Sequence, residues 1–385
     1  MPDQEPWTTG RLRTWIRTHL EANGVDSPAV CADMLLSAAI GAERLRLYME
    51  PDRLASEEER ATLRSWVKRA AAHEPVQYLV GEAWFHQARI EVDSSTMIPR
   101  PATETLVEVG HRRLTAASGS AQILDLCTGT GCVSIALLNL IDRPHRAAAR
   151  MQQAEAAAQA DLVRLSSALD VGGGPATGGN GGQAGHEEDE GHDLELDPEV
   201  EPSIADRQDS DADDGVPRET AEPPSARVKT GSFMRASVVA TELVGAAAEL
   251  ARRNVARNLQ ADRVDVRLGS LYEPMTPEER STFDLIISNP PYISDAEFDL
   301  CPANVRDYEP ATALRGGKDG LEVIRKVIDG APAWLVPGGV LAIEMQYDQA
   351  SAVRSLFAAA GFEEIQLHQD VDALDRVVSG RLPGA

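Results

Sequence analysis

At 385 residues the chain is long enough for two domains and a further segment, taking roughly 150 residues per domain. Its formal charge of −24 speaks against a nucleic-acid surface, which needs clustered Lys and Arg, and no apolar run reaches the roughly 18 residues of a membrane span. The four cysteines (Cys31, Cys127, Cys132, Cys301) are scattered without C-x-x-C spacing, which favours reduced thiols over zinc or disulfides. The opening MPDQEPWTTG is acidic and lacks both a basic n-region and an apolar h-region, so an unprocessed cytoplasmic protein is expected.

Residues 8 to 72 carry apolar positions at helical spacing, as in GRLRTWIRTHLEANG and SPAVCADMLLSAAIGAERLRLYM; Ser27 and Pro28 are predicted as N-cap and first helical residue. From Gln77 to Val92, QYLVGEAWFHQARIEV is rich in aromatic and β-branched residues and reads as a hairpin. MIPRPATETLVEVGHRRL then leads into a helix. Five short apolar runs follow: AQILDL (121–126), ASVVATEL (236–243), VDVRLG (264–269), FDLIIS (283–288) and GGVLAIEM (338–345). Helical patterns such as AAAELARRNVARNL separate several of them, so a parallel sheet covered on both faces is expected.

Between VSIALLNL and ASVVATEL the pattern is interrupted from 143 to 232. The first part could form a helix; from about 171 to 230 the chain is Gly-rich and then acidic, and is expected to be disordered. Glu187 to Glu222 hold sixteen acidic and two basic residues, so most of the net charge sits there and the rest of the chain is only mildly acidic.

In ILDLCTGTGCVSIALL, Asp125, Cys127, Gly129 and Gly131 fall on a strand-to-helix turn, where glycines let the backbone approach a ligand and leave helix N-terminal amides exposed. The next strand ends at Glu242, where a carboxylate can accept both hydroxyls of a ribose. Its distance from the glycines exceeds the usual 20 or so residues only because of the interruption. The fourth strand ends in Asn289-Pro290-Pro291-Tyr292. The prolines lack N–H donors and bias the preceding residue toward extended backbone. Acceptors therefore face the carboxyl edge of the sheet: the Asn289 amide oxygen and the Pro290 carbonyl can take both protons of a planar –NH2, with the Tyr292 ring available for stacking. A conjugated nitrogen held in line with a methyl-sulfonium needs no strong base, because its protons grow more acidic in the transition state and their bonds to the two acceptors strengthen.

With these residues in place the chain resembles the HemK/PrmC-type protein glutamine methyltransferases. The matching stretches are PVQYLVGEAWF, MIPRPATETLVE, LDLCTGTGCVSIAL, SNPPYI, YEPATALRGGKDGLEVIRKVI, LVPGGVLAIEMQYDQ and DALDRVVSGR, over residues 75 to 381 apart from the interruption. The resemblance implies an α/β fold of the class I S-adenosylmethionine-dependent methyltransferases, with a Rossmann-like seven-stranded sheet behind an N-terminal helical domain. It implies S-adenosyl-L-methionine as cofactor, no metal, and peptide-chain release factors as protein partners, methylated on the glutamine of their Gly-Gly-Gln motif. The expected organisation is a helical substrate-recognition domain (1–75), a hairpin linker (76–100), a methyltransferase domain (101–142 and 233–385) and the insertion (143–232), in a protein acting as a monomer without membrane or nucleic-acid contact.

Carried over residue by residue, the resemblance assigns catalysis to Asn289, Pro290 and Tyr292. The cofactor falls to Asp125, Cys127, Thr128, Gly129, Thr130, Gly131, Glu242, Leu243, Ser270, Leu271 and Asn289. Substrate contacts fall to Asn289, Pro290, Pro291 and Tyr292 together with Pro101, Thr103 and Glu104. Two residues depart from the family pattern. Cys127 stands where release-factor enzymes usually have glycine and is more typical of the sister group that modifies a ribosomal-protein glutamine, and Ser270 replaces an aspartate that often contacts adenine. RPATE matches the release-factor group better. A nucleic-acid amino methyltransferase would use the same Asn-Pro-Pro-Tyr clamp but needs a basic cleft, and a non-catalytic module on this fold would have no need of Asn289 and Tyr292. Gly181, Gly182 and Gln183 repeat the tripeptide this family methylates, a triplet that a Gly-rich tract produces readily by chance.

Overall fold

The computed structural model describes residues 6–115, 119–143 and 235–384. The expectations for the insertion, its acidic tract and its Gly-Gly-Gln triplet fall outside these residues. Five helices open the chain: α1 (Thr9–Ala22), α2 (Pro28–Ile40), α3 (Arg44–Met49), α4 (Glu57–Ala70) and α5 (Val76–Val80). In α1, Leu12, Ile16 and Leu20 recur every fourth residue and are buried on one face. They pack on Leu35 and Leu36 of α2 and Leu63 and Val67 of α4 in a separate apolar cluster. Thr8 caps α1, its hydroxyl accepting from the Arg11 amide at 3.3 Å, and Ser56 and Glu59 form a reciprocal capping box on α4.

Pro28 does take the first position of α2, but Ser27 does not cap it through its side chain. The right-handed helical region is disfavoured for a residue before proline, and Ser27 turns into the left-handed region at φ 49°, with no side-chain cap bond. The buried carboxylate of Asp33 ties α1, α2 and α3 together, accepting from Arg13 at 2.6 Å, Arg44 at 2.8 Å and the Tyr48 hydroxyl at 2.7 Å.

The stretch expected to be a hairpin begins helical. QYLV belongs to α5, which Gly81 ends in the left-handed region at φ 73°. Only then come β1 (Glu82–Phe85) and β2 (Ala88–Glu91), paired antiparallel. His86 and Gln87 close the hairpin with positive φ at both positions, the requirement of the tight turn that matches strand twist. Neither is Gly or Asn; the carboxylate of Glu104 supports the turn by accepting from the His86 amide at 2.9 Å.

After α6 (Pro101–Thr115) the sheet is built from β3 (Ser120–Leu126), α7 (residues 132–143), β4 (Arg235–Glu242), α8 (Gly245–Arg257), β5 (Val264–Leu268) and β6 (Phe283–Ser288). The short helices α9 (Asp295–Phe298), α10 (Ala303–Arg306) and α11 (Ala311–Leu314) precede α12 (Glu322–Gly330), β7 (Leu335–Glu344), α13 (Ala350–Ala359), β8 (Glu363–Gln369) and β9 (Asp375–Arg381). The seven strands lie in the order β5-β4-β3-β6-β7-β9-β8. β3 to β7 are parallel, as their apolar runs predict, while β9 inserts antiparallel to both neighbours.

Alternate side chains of each strand serve opposite faces. Ile123 joins one apolar layer with α6, α7 and α8, and Leu124 joins the other with α12 and α13. Strand order reverses at β3, the topological switch point of an open α/β sheet, where ligands bind beyond the carboxyl ends. Leu126, Glu242, Ser288 and Glu344 end their strands on that side.

Candidate active site

At the end of β3 the carboxyl of Asp125 is buried and accepts from the hydroxyls of Ser134 at 2.6 Å and Thr128 at 2.7 Å. Burial pushes it up to about 6, against the pull of those two hydroxyls. The turn that follows needs left-handed backbone: Cys127 has φ 60°, Gly129 55° and Gly131 78°. Burial and then the nearby Glu242 carboxylate push the Cys127 thiol up to about 12, so it stays protonated. Gly131 faces α8 rather than the ligand side, with Ala251 Cβ 3.6 Å from where its own Cβ would stand. The buried side chain of Asn254 ties this turn to the hairpin, donating to the carbonyls of Thr130 at 3.0 Å and Glu91 at 2.9 Å and accepting from the Glu91 amide at 2.7 Å.

Glu242 is fixed before any ligand arrives. Its two carboxylate oxygens accept from the Gly129 amide at 3.0 Å and the Val244 amide at 2.9 Å, so the glycine turn and the end of β4 share one anion. Burial raises its pKa and these backbone donors oppose the rise. Each oxygen retains lone-pair capacity for a further donor.

Asn289 follows β6, half-buried, and its Nδ2 donates to Thr103 Oγ1 of α6 at 3.1 Å. That bond turns the amide oxygen away from α6, leaving an acceptor free to face the cavity. Pro290 is buried and Pro291 is in the cavity wall. The Tyr292 ring packs with the apolar layer of α12 and α13, and its hydroxyl donates to Glu344 Oε1 at 3.2 Å. Gln349 holds the Tyr292 carbonyl at 2.9 Å. The loop 314–320 braces the same segment from outside, through Ile293 N to Leu314 O at 2.9 Å and Gly316 N to Ile293 O at 2.8 Å.

Between these elements lies a cavity of about 330 Å³, within the size range of small-molecule sites. Of the residues singled out from sequence, Asp125, Cys127, Thr128, Gly129, Thr130, Glu242, Leu243, Ser270, Leu271, Asn289, Pro291 and Thr103 line it. Gly131, Pro290 and Tyr292 stand behind the wall, Pro101 is exposed at the start of α6, and Glu104 serves the hairpin turn.

Sequence reasoning missed the opposite wall. Thr96, Met97 and Pro99 cover the cavity on a loop held by the Tyr78 hydroxyl, which donates to the Thr96 carbonyl at 2.6 Å, and by an ion pair between Arg100 and the buried Glu309. Thr96 and Thr241 line this cavity, and their hydroxyls are buried with no partner among the described residues. A fixed carboxylate for ribose hydroxyls, a glycine turn in the cavity wall and apolar Leu243 and Leu271 beside it fit S-adenosyl-L-methionine.

Comparison with known proteins agrees. Residues 11–81 match the family described as the PrmC N-terminal domain. The chain is 31% identical over 378 residues to the release factor glutamine methyltransferase of Geobacter sulfurreducens, covering 98% of both chains. It is 30% identical over 367 residues to that of Cereibacter sphaeroides, covering 95% of each. It is 26% identical over 378 residues to that of Rhodopirellula baltica, covering 97% of this chain and 96% of the other. Helical N-terminal residues, glycine turn, ribose-side carboxylate and Asn-Pro-Pro-Tyr clamp thus occur together in a chain that belongs to the release factor glutamine methyltransferase family, S-adenosyl-L-methionine-dependent protein-(glutamine-N5) methyltransferases.

Proposed function

We propose that this enzyme methylates the side-chain amide nitrogen of the glutamine in the Gly-Gly-Gln motif of peptide-chain release factors. The observation that carries the reading is the orientation of Asn289, whose Nδ2 is committed to Thr103 and whose oxygen is therefore the atom offered to an incoming amide. When bound, S-adenosyl-L-methionine supplies an electrophilic methyl group. Asn289 Oδ1 accepts one proton of the glutamine –NH2; the other is assigned to the backbone carbonyl of Pro290, whose buried ring lies outside the cavity lining, and the hold strengthens as the nitrogen lone pair localises. Glu242 and the glycine turn hold the cofactor, with Leu243, Ser270 and Leu271 beside it. Thr96, Met97 and Pro99 exclude water from the reacting atoms, and Tyr292 backs the clamp. Purified enzyme given a release factor and its Gln→Asn variant at the tripeptide should label only the former; equal labelling of both would overturn the assignment.

A further inference from the structure

Arg315 follows α11 in the cavity wall, and the chemistry above does not use it. A parallel bridge pairs it with Ile293, two residues beyond Pro291. Its neighbour Gly316 comes so near the clamp that an added Cβ would stand 2.7 Å from the Pro291 carbonyl oxygen. The Arg315 guanidinium lies over the Phe298 ring, 4.4 Å from the centroid, and is flanked by Asp295 at 3.9 Å and Asp299 at 3.5 Å. Neither contact is a hydrogen bond, and the side chain makes none to the described residues although it is only 42% exposed.

We propose that Arg315 is a substrate-binding residue that donates hydrogen bonds to main-chain carbonyl oxygens of the acceptor protein beside the glutamine held by Asn289. The proposal rests on the amide-clamp reading. A guanidinium carries five donors in a fixed planar fork. Stacking on Phe298 holds that plane, so the fork is oriented before a ligand arrives while its donors stay unpaired. The adjacent charges select the kind of acceptor. Asp295 and Asp299 together outweigh the single positive charge of Arg315, so an anionic ligand meets repulsion there and a neutral carbonyl oxygen does not. A peptide backbone supplies such oxygens once per residue, about every 3.8 Å along the Cα trace, and glycines beside the glutamine leave them uncovered by side chains.

The position of Arg315 favours the acceptor over the cofactor as its ligand. Glu242 and Leu243 at the end of β4, and Ser270 and Leu271 after β5, line one side of the cavity. The clamp follows β6, on the other side of β3 in the strand order. Arg315 is bridged to the chain that leaves β6, and Thr312 and Ala313 continue the wall from it. It therefore belongs to the half of the cavity through which the target amide reaches Asn289.

The test measures kcat and KM on a release factor at saturating cofactor, with S-adenosylhomocysteine affinity determined by calorimetry. Arg315→Met, which removes the donors and keeps an unbranched side chain, should raise KM for the release factor by about 10-fold, the scale of hydrogen bonds lost from a charged group. Its kcat should stay within about 3-fold and its S-adenosylhomocysteine affinity within about 2-fold, since uniform binding of the acceptor is what it loses. Arg315→Lys keeps the charge without the fork and should recover only part of the loss; full recovery would leave charge as the sole attraction and overturn the main-chain assignment. The ratio of KM between Arg315→Met and wild type should persist as salt is raised, because a neutral carbonyl is not screened as a charge is. A ratio that vanishes in high salt would put an acidic side chain of the acceptor at Arg315 and overturn the proposal. An unchanged KM, or weakened S-adenosylhomocysteine binding with KM for the release factor unmoved, overturns it as well. A wild-type enzyme that leaves the release factor unlabelled would overturn the substrate assignment, and this proposal with it, whereas normal labelling with an unmoved KM in Arg315→Met counts against Arg315 alone.

Discussion

A Cβ placed on Gly316 would lie 2.7 Å from the carbonyl oxygen of Pro291 and 2.5 Å from that of Gly320. Both obstacles are backbone, so the loop that braces the clamp cannot yield without moving the clamp. Gly316→Ala should cost roughly 1–3 kcal/mol of unfolding free energy, the range of substitutions that overpack a fixed site, and should reduce turnover with it. Gly245→Ala, where nothing stands within 4 Å, is the control. At the start of α8 it should be neutral or slightly stabilising. Urea denaturation of both variants checks this.

Glu242 is held by two backbone amides and offers its remaining lone pairs to the cavity. Glu242→Ala should weaken S-adenosylhomocysteine binding by about 10- to 100-fold, as expected for hydrogen bonds to a charged group, with kcat at saturating cofactor little changed. Calorimetric titration gives the first number and steady-state kinetics the second.

Asp125 makes stability depend on pH in a direction opposite to that of an ion-paired carboxylate. Its pKa is raised to about 6 in the folded chain from 3.8, so the folded state binds the proton more tightly than the unfolded one. The stability this confers is complete below 3.8 and is lost as pH rises through about 6. Asp125→Asn removes the titration while Ser134 and Thr128 can accept from the new amide. Melting temperatures without cofactor should show the Asp125→Asn variant gaining on wild type between about pH 4 and pH 7, the window the two pKa values span; parallel curves would refute this.

Cys127 occupies φ 60°, a region that disfavours L-residues by roughly 1–2 kcal/mol and β-branched ones most of all. Cys127→Gly should be at least as stable as wild type, the relief offsetting the roughly 0.5–1 kcal/mol entropic penalty of glycine. Cys127→Val, close to cysteine in size, should be clearly less stable. Chemical denaturation separates the two.

The five parallel strands are legible because each centres on a short segment rich in apolar residues between turn signals, although β5 (VDVRL) alternates apolar and charged positions. β8 and β9 carry no such signal. β8 lies at the sheet edge with Glu363, Glu364 and Gln366 exposed, so EEIQLHQ lacks the apolar signature, and in β9 (DRVVSGR) only Val377 and Val378 are apolar. Glycines and prolines announce the glycine turn and the clamp. Thr96 and Thr241 escape a reading of the sequence, because a threonine in a loop or strand looks ordinary until its hydroxyl is found buried without a partner. Glu344 has a visible signal: a glutamate inside the apolar run VLAIEM, where a charged residue is out of keeping with a buried strand.

The most direct test of the amide-clamp account offers labelled S-adenosylmethionine and enzyme to a release factor, a ribosomal-protein mixture, RNA and DNA in parallel, with wild type and Asn289→Ala side by side. The account predicts label in the release factor alone, on the glutamine of Gly-Gly-Gln, and a loss of roughly 100-fold or more in Asn289→Ala at saturating cofactor, the scale seen when one transition-state hydrogen-bond partner is removed. Label confined to nucleic acid, or undiminished transfer by Asn289→Ala, would contradict it.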